Sequence, residues 1–218
     1  MHPSNDNRAI IFDMDGVIVD SEPLHELAFR QIFAEMGYAD DRHGIEFPHY
    51  YGKSDRALWL DFIALHQPPQ PLEELLAWKQ NRFLTILRER RPIFPPIPDL
   101  VAALAARFPL AVASGSNHPV IDEVLAMHGL RRFFSAVVSV QDVTRPKPFP
   151  DVFLRAAALL GVAAEACVVI EDSAAGVQGA RDAGMRVIAI TNSLPAAQLT
   201  QAHHIVRTYD EIEALLLP

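Results

Sequence analysis

The chain has 218 residues, half of them hydrophobic, with 19 basic against 27 acidic side chains and a net charge of −8. That length carries one good core plus a smaller accessory unit. The acidic balance argues against a binder of nucleic acid or anionic membrane, and the short run Arg88-Glu89-Arg90-Arg91 reads as a solvated helix end. A single cysteine, Cys167, leaves no internal disulfide and, ahead of Val168-Val169-Ile170, is expected to be buried and inert. No apolar run approaches a membrane span, and the polar stretch Met1 to Arg8 lacks the apolar region of a signal peptide. A cytoplasmic protein is expected.

The first element is Ile10-Ile11-Phe12-Asp13-Met14-Asp15-Gly16-Val17. An apolar run ending in two acids two residues apart predicts a strand that delivers both carboxylates to one place, because alternate strand side chains share a face. Gly16 permits a sharp turn just beyond them. Such a pair suits a hard cation such as magnesium. It equally suits a nucleophile beside an acid–base group. Next, the spacing of Leu24, Leu27, Ala28, Ile32 and Phe33 predicts a helix from Leu24 to Met36, with Glu22-Pro23 as its start and Gly37 as its stop. Ala57 to Leu65 and Leu72 to Leu87 read as two further helices, with Trp59 and Trp78 at core spacing. No strand pattern interrupts residues 21–90, so this stretch reads as an inserted all-helical unit.

The proline-dense connector Pro92 to Pro98 follows, and after it strands and helices alternate. Strands are predicted at Leu110–Ala113, Ala136–Ser139, Val168–Ile170 and Val187–Ile190. Helices are predicted at Val120–Met127, Asp151–Leu160 and Ala174–Ala183. His203-His204, ahead of Ile205-Val206, read as flanking an edge strand rather than binding metal. Continuous apolar strands with intervening helices predict an α/β fold, a doubly wound parallel sheet covered on both faces. Ligands on such sheets bind at the carboxyl ends of the strands.

The residues at those ends form a coherent set. Ser114-Gly115-Ser116-Asn117 offers a hydroxyl beside a tight turn and a helix start, suited to holding phosphate oxygens through Ser114 and backbone N–H groups. Ser116 or Asn117 would serve equally as a helix N-cap. Lys147, between Pro146 and Pro148, is a point charge on a restricted backbone. Glu171-Asp172 ends the Cys167-to-Ile170 run. Adjacent strand residues face opposite ways, so Asp172 is favoured as a cation ligand and Glu171 as its support or as the partner of Lys147.

Taken together, these motifs resemble the haloacid dehalogenase superfamily of phosphotransferases. The ordered set is Asp13-Met14-Asp15-Gly16-Val17, Ser114 after an apolar strand, Lys147 in Arg145-Pro146-Lys147-Pro148, and Glu171-Asp172-Ser173 with Gly176 and Ala183-Gly184-Met185 beyond. The inserted helices resemble the cap of the beta-phosphoglucomutase-like branch. The resemblance implies a Rossmann-like core over residues 1–20 and 91–218 and a helical cap over 21–90. It further implies a Mg2+ site at Asp13, Asp15 (through its carbonyl) and Asp172, with Glu171 nearby. In the implied mechanism Asp13 is the nucleophile, Asp15 the acid–base group, and Ser114 and Lys147 stabilise the transferring phosphoryl. Gly16, Gly115, Ser116 and Asn117 would line the substrate.

The resemblance also touches the helical insert. His25 stands where those mutases carry a functional cap histidine, and Lys79 near a substrate-contacting lysine; for each, a solvated or first-turn helix position is an equal reading. The family's arginine for a distal phosphate follows a Gly-x-Ser; here Gly52-Lys53-Ser54 is followed by Asp55, which would repel a second phosphate, with Lys53 or Arg56 as the substitute for that arginine and Gly52 and Lys53 expected to contact the substrate. The expected partner is therefore a small phosphorylated metabolite, a sugar-phosphate monoester that is hydrolysed. A beta-phosphoglucomutase-type mutase is the alternative, and a non-catalytic phosphosugar-binding protein a more distant one. The cap would shield the site without a partner subunit, so a monomer is compatible with the sequence.

Overall fold

The computed structural model describes residues 9–50 and 54–217. The chain divides into two compact units, Met1–Asp20 with Ile93–Pro218, and Ser21–Pro92. Strand β1, Ala9–Phe12, is wholly buried. The second unit then contributes α1 (Glu22–Glu35), α2 (Asp55–His66) and α3 (Leu72–Arg90). Its core is aromatic: Phe29, Phe33, Phe47, Trp59 and Phe62 cluster, with Phe33 stacked on Phe62 at 4.5 Å. Such ring packing supplies much of the apolar burial that a unit this small needs.

The first unit resumes with α4 (Ile97–Ala105), β2 (Leu110–Ala113), α5 (His118–Ala126), β3 (Phe134–Val138), α6 (Asp151–Leu160), β4 (Cys167–Glu171), α7 (Ala174–Asp182), β5 (Arg186–Ile190), β6 (His204–Val206) and α8 (Tyr209–Leu216). The six strands form one parallel sheet in the order β3-β2-β1-β4-β5-β6, a Rossmann-like α/β fold. Every residue of β1, β2 and β4 is buried, so both faces are covered. Helices α6 and α7 pack Phe153, Ala156, Val177 and Ala180 against the face carrying Ile11, Ala111, Val169 and Val187. No helix among the described residues is long and apolar enough to cross a membrane.

Two helices escape the sequence reading. Helix α4 begins inside the proline connector, where Pro96 precedes it and Pro98 sits in its first turn. Proline is tolerated there because the first N–H groups of a helix have no intrahelical acceptor. Helix α8 opens on a capping box, Thr208 to Glu211, that a short apolar pattern did not expose.

The strand order places the site. From β1 the chain winds outward one way through β2 and β3, then returns to lay β4, β5 and β6 on the other side. The crevice where winding reverses lies at the carboxyl ends of β1 and β4, which pair directly with Phe12 opposite Ile170.

Candidate active site

Asp13 is the first residue beyond β1, and its N–H donates to the Ile170 carbonyl at 2.9 Å, so the strand pairing continues to the acid itself. Glu171 is the last residue of β4, and the chain turns at Asp172. The turn is closed by the Glu171 side chain, whose Oε2 accepts from the Asp172 N–H (2.8 Å), the Ser173 N–H (2.7 Å) and the Ser173 hydroxyl (2.9 Å). This turn lets two adjacent residues serve one site, which strand alternation by itself forbids. Space for the Glu171 carboxylate is made by Gly176, in the first turn of α7, where a Cβ would overlap it.

Lys147, from the segment between β3 and α6, lies between two of the acids. Its Nζ donates to Asp13 Oδ1 at 2.5 Å and to Glu171 Oε1 at 2.7 Å. Burial alone would depress this ammonium, but the two carboxylates outweigh it and hold its pKa above the ordinary lysine value. Asp13, Glu171 and Asp172 are all buried and offer oxygens within 4.8 Å of one another.

One ammonium faces three buried carboxylates, and the imbalance appears in the titration of Asp13 and Asp172. Burial, reinforced by Glu171 and Asp15 and opposed by Lys147, raises Asp13 from 3.8 to about 7. Burial, with Glu171 and Asp13 adding, raises Asp172 well above the usual carboxylate range. Hard oxygen donors with two uncompensated negative charges fit a divalent cation such as magnesium. Asp13 and Asp172 are the acids suited to hold it, because both oxygens of Glu171 already accept hydrogen bonds.

Asp15 faces the second strand end. Its Oδ2 accepts from the Ser116 hydroxyl at 2.7 Å and lies 3.4 Å from the Ser114 hydroxyl. Ser114 is fully buried and its Oγ accepts from the Ser116 N–H at 2.9 Å. The Asn117 side chain caps α5, accepting from the Val120 N–H, and Gly115 is exposed beside it. Gly16 holds φ +78°, and a Cβ there would overlap the Asp172 carboxylate. The glycine is thus required twice, for the turn and for the space.

The structure therefore brings together Asp13, Asp15, Gly16, Ser114, Gly115, Ser116, Asn117, Lys147, Glu171 and Asp172. Gly52 and Lys53 lie outside the described residues. His25 and Lys79 belong to the second unit and meet each other there. Lys79 is almost fully buried, and its ammonium is paired with Asp55 at 2.7 Å and with His25 Nδ1. The His25 ring stacks on Phe83 at 4.0 Å; burial first, then the Lys79 charge, holds it well below the ordinary histidine value. A neutral imidazole can accept the lysine proton at Nδ1. Arg56 pairs with Glu73 at 3.1 Å.

A family model described as haloacid dehalogenase-like hydrolase matches residues 7–184. The chain belongs to the haloacid dehalogenase-like hydrolases. Among its relatives is the fructose-1-phosphate phosphatase YqaB of Escherichia coli, 35% identical over 180 residues, covering 82% of this chain and 94% of that protein. Among solved structures, CbbY from Rhodobacter sphaeroides in complex with xylulose-(1,5)bisphosphate superposes with a TM-score of 0.80 at 28% identity, covering 94% of this chain and 96% of that one. A putative beta-phosphoglucomutase from Thermotoga maritima gives 0.79 at 27% identity, with 95% and 98% covered. This enzyme is therefore a member of a hydrolase family whose fold is shared with beta-phosphoglucomutases.

Several residues that shape the site were not apparent from sequence. Ser193 hydrogen-bonds Asp172 Oδ2, and Asn192 Nδ2 donates to the Gly16 carbonyl at 2.8 Å. Tyr209 Oη donates to the Val17 carbonyl at 2.8 Å. Ser139, at the end of β3, donates to the Ser116 carbonyl at 2.8 Å. The signal for Asn192 and Ser193 was positional: they follow β5 at the same carboxyl edge as the acids.

Proposed function

We propose that this hydrolase cleaves a small sugar-phosphate monoester in two steps through an aspartyl phosphate on Asp13. The observation that carries the reading is Asp15: a second carboxylate two residues beyond Asp13, aimed by the Ser116 hydroxyl. In the first step an Asp13 oxygen attacks phosphorus in line; the ester P–O bond breaks, and Asp15 gives its proton to the leaving oxygen. In the second step Asp15 takes a proton from water, whose oxygen attacks the same phosphorus. The acyl phosphate P–O bond then breaks, freeing inorganic phosphate and Asp13. Lys147 favours the ionised form of Asp13 against its burial and, with Ser114 and the Gly115–Asn117 backbone, stabilises the transferring oxygens. A Mg2+ ion held by Asp13, Asp172 and the Asp15 carbonyl would supply charge neutralisation between nucleophile and phosphate. Glu171 positions Lys147 and closes the turn that presents Asp172.

Two relatives argue for sugar phosphates, one being a phosphatase of fructose 1-phosphate and the other crystallised with a sugar bisphosphate. A monophosphate is favoured over a bisphosphate by the second unit itself. Lys79 and Arg56, two cations of that unit, are matched by Asp55 and Glu73. An acid beside each opposes a second phosphate, as a mutase would require. His25 and Lys79 are proposed to select the sugar through this neutralised cluster.

The test is a time course on fructose 1-phosphate, hexitol phosphates and β-glucose 1-phosphate with Mg2+, the last with a trace of glucose 1,6-bisphosphate. Free phosphate and glucose 6-phosphate are followed together. Free phosphate from at least one monoester, lost in Asp13→Asn, is expected. Glucose 6-phosphate without matching free phosphate would overturn the hydrolase reading in favour of a mutase.

A further inference from the structure

We propose that Ser193 is a positioning residue for Asp172, fixing its carboxylate and thereby setting the affinity of the acid cluster for a divalent cation. The inference rests on the reading of Asp13 and Asp172 as the cation-holding pair. It goes beyond that reading by assigning a role to the strand end of β5, which supplies no acid.

The geometry points there in three ways. First, β4 and β5 pair in register up to Glu171 opposite Ala189, so the loop after β5 emerges beside Asp172. The Ser193 hydroxyl hydrogen-bonds Asp172 Oδ2, and Asp172 is only 3% exposed. Second, the hydroxyl is not on a loose loop. Two residues before it, the Thr191 N–H donates to the Val206 carbonyl at 3.0 Å. Its neighbour Asn192 donates to the Gly16 carbonyl at 2.8 Å and to Tyr209 Oη at 2.9 Å, and Tyr209 in turn donates to the Val17 carbonyl. Third, Gly16, Asp172 and Ser193 share one small space. A Cβ on Gly16 would overlap the Asp172 carboxylate and come within 2.6 Å of the Ser193 hydroxyl.

The same three-residue loop thus grips both segments that supply the acids, the turn after Asp13 and the turn after Glu171. A carboxylate can rotate about its last side-chain bond, and that freedom must be lost when a cation binds. A hydroxyl donating to one oxygen fixes the plane of the group beforehand and leaves the other oxygen for coordination. Partners of this kind, one bond removed from a metal, typically change its affinity about 10–100-fold when deleted.

The experiment measures Mn2+ and Mg2+ binding to the full chain without substrate, by electron paramagnetic resonance of free Mn2+ and by calorimetry. Ser193→Ala is expected to weaken binding about 10–100-fold. Ser193→Thr, which keeps the hydroxyl, is expected to restore it to within about threefold, and kcat of the alanine variant to recover at saturating cation. A folded Ser193→Ala protein that binds within about twofold of the natural chain would overturn the proposal. If that variant does not fold, Tyr209→Phe removes a hydroxyl of the loop's anchor without touching an acid. It is expected to weaken binding about 3–10-fold, and unchanged binding would overturn the proposal equally. Failure of the unsubstituted chain to bind either ion would instead overturn the cation site itself, and this inference with it.

Discussion

Replacing the proposed nucleophile should stabilise the cation-free protein. Asp13 is buried among Glu171, Asp172 and Asp15 with a single ammonium beside it, and its pKa rises from 3.8 to about 7. At ~1.36 kcal/mol for each pH unit of that rise, ionising Asp13 in the native state costs roughly 4 kcal/mol more than in the unfolded chain. That figure already includes the attraction of Lys147. The native state therefore binds more protons than the unfolded state between the two values, so stability falls as pH rises from about 4 to about 7, and levels off above. Asparagine keeps an oxygen for Lys147 but cannot ionise. Asp13→Asn should match the natural chain near pH 4 and exceed its unfolding free energy by up to ~4 kcal/mol near pH 8. The assay is urea unfolding at a series of pH values in the presence of a chelator. A stability difference that does not grow with pH, or a variant less stable at pH 8, would refute the electrostatic account. Added Mg2+ should narrow the difference, since it stabilises only a chain that binds it.

Other perturbations separate the roles of single residues. Gly16→Ala forces a side chain onto φ +78° and onto the Asp172 carboxylate. Backbone strain of about 1–2 kcal/mol and a fall in kcat of about 100-fold or more are expected, and kcat within threefold of normal would refute the requirement for glycine. Lys79→Ala leaves Asp55 without its ammonium. Because Asp55 is about a third exposed, we expect a loss of roughly 2–4 kcal/mol rather than the ~3–5 of a fully buried pair, read by tryptophan fluorescence of Trp59 and Trp78 in urea. A loss below about 1 kcal/mol would show the pair to be idle. Burial, then Glu165, pushes the Cys167 thiol up to about 11. Its reaction with Ellman's reagent at pH 8 should be at least about a hundredfold slower in the native protein than in urea, and comparable rates would contradict its burial.

The strands and most helices were legible because their signals are local. Continuous apolar runs such as Ile10-Ile11-Phe12 and Val168-Val169-Ile170 bury on both faces wherever they are placed, so their sequence carries the assignment. The acids were legible because the carboxyl ends of such strands converge. Helix α4 was hidden because proline breaks a helix only in its interior, and the sequence does not announce which position of the first turn it will occupy.

What the sequence determined by itself is the inventory: which strands exist, which polar residues end them, and hence a candidate site of paired acids, hydroxyl and lysine at their carboxyl ends. Tertiary structure alone decided the partners. Lys147 bonds Asp13, 134 positions away, and is shared with Glu171, whose side chain also closes the turn that turns Asp172 inward. Lys79 is neutralised by Asp55, and Asp172 is held by Ser193, neither pair being marked by any short-range pattern. The physical reason is that periodicity records which face a residue is on. Hydrogen bonds and ion pairs need partners within about 3 Å, and that proximity is set only when the β4–β5 ladder and the packed helices bring distant segments together.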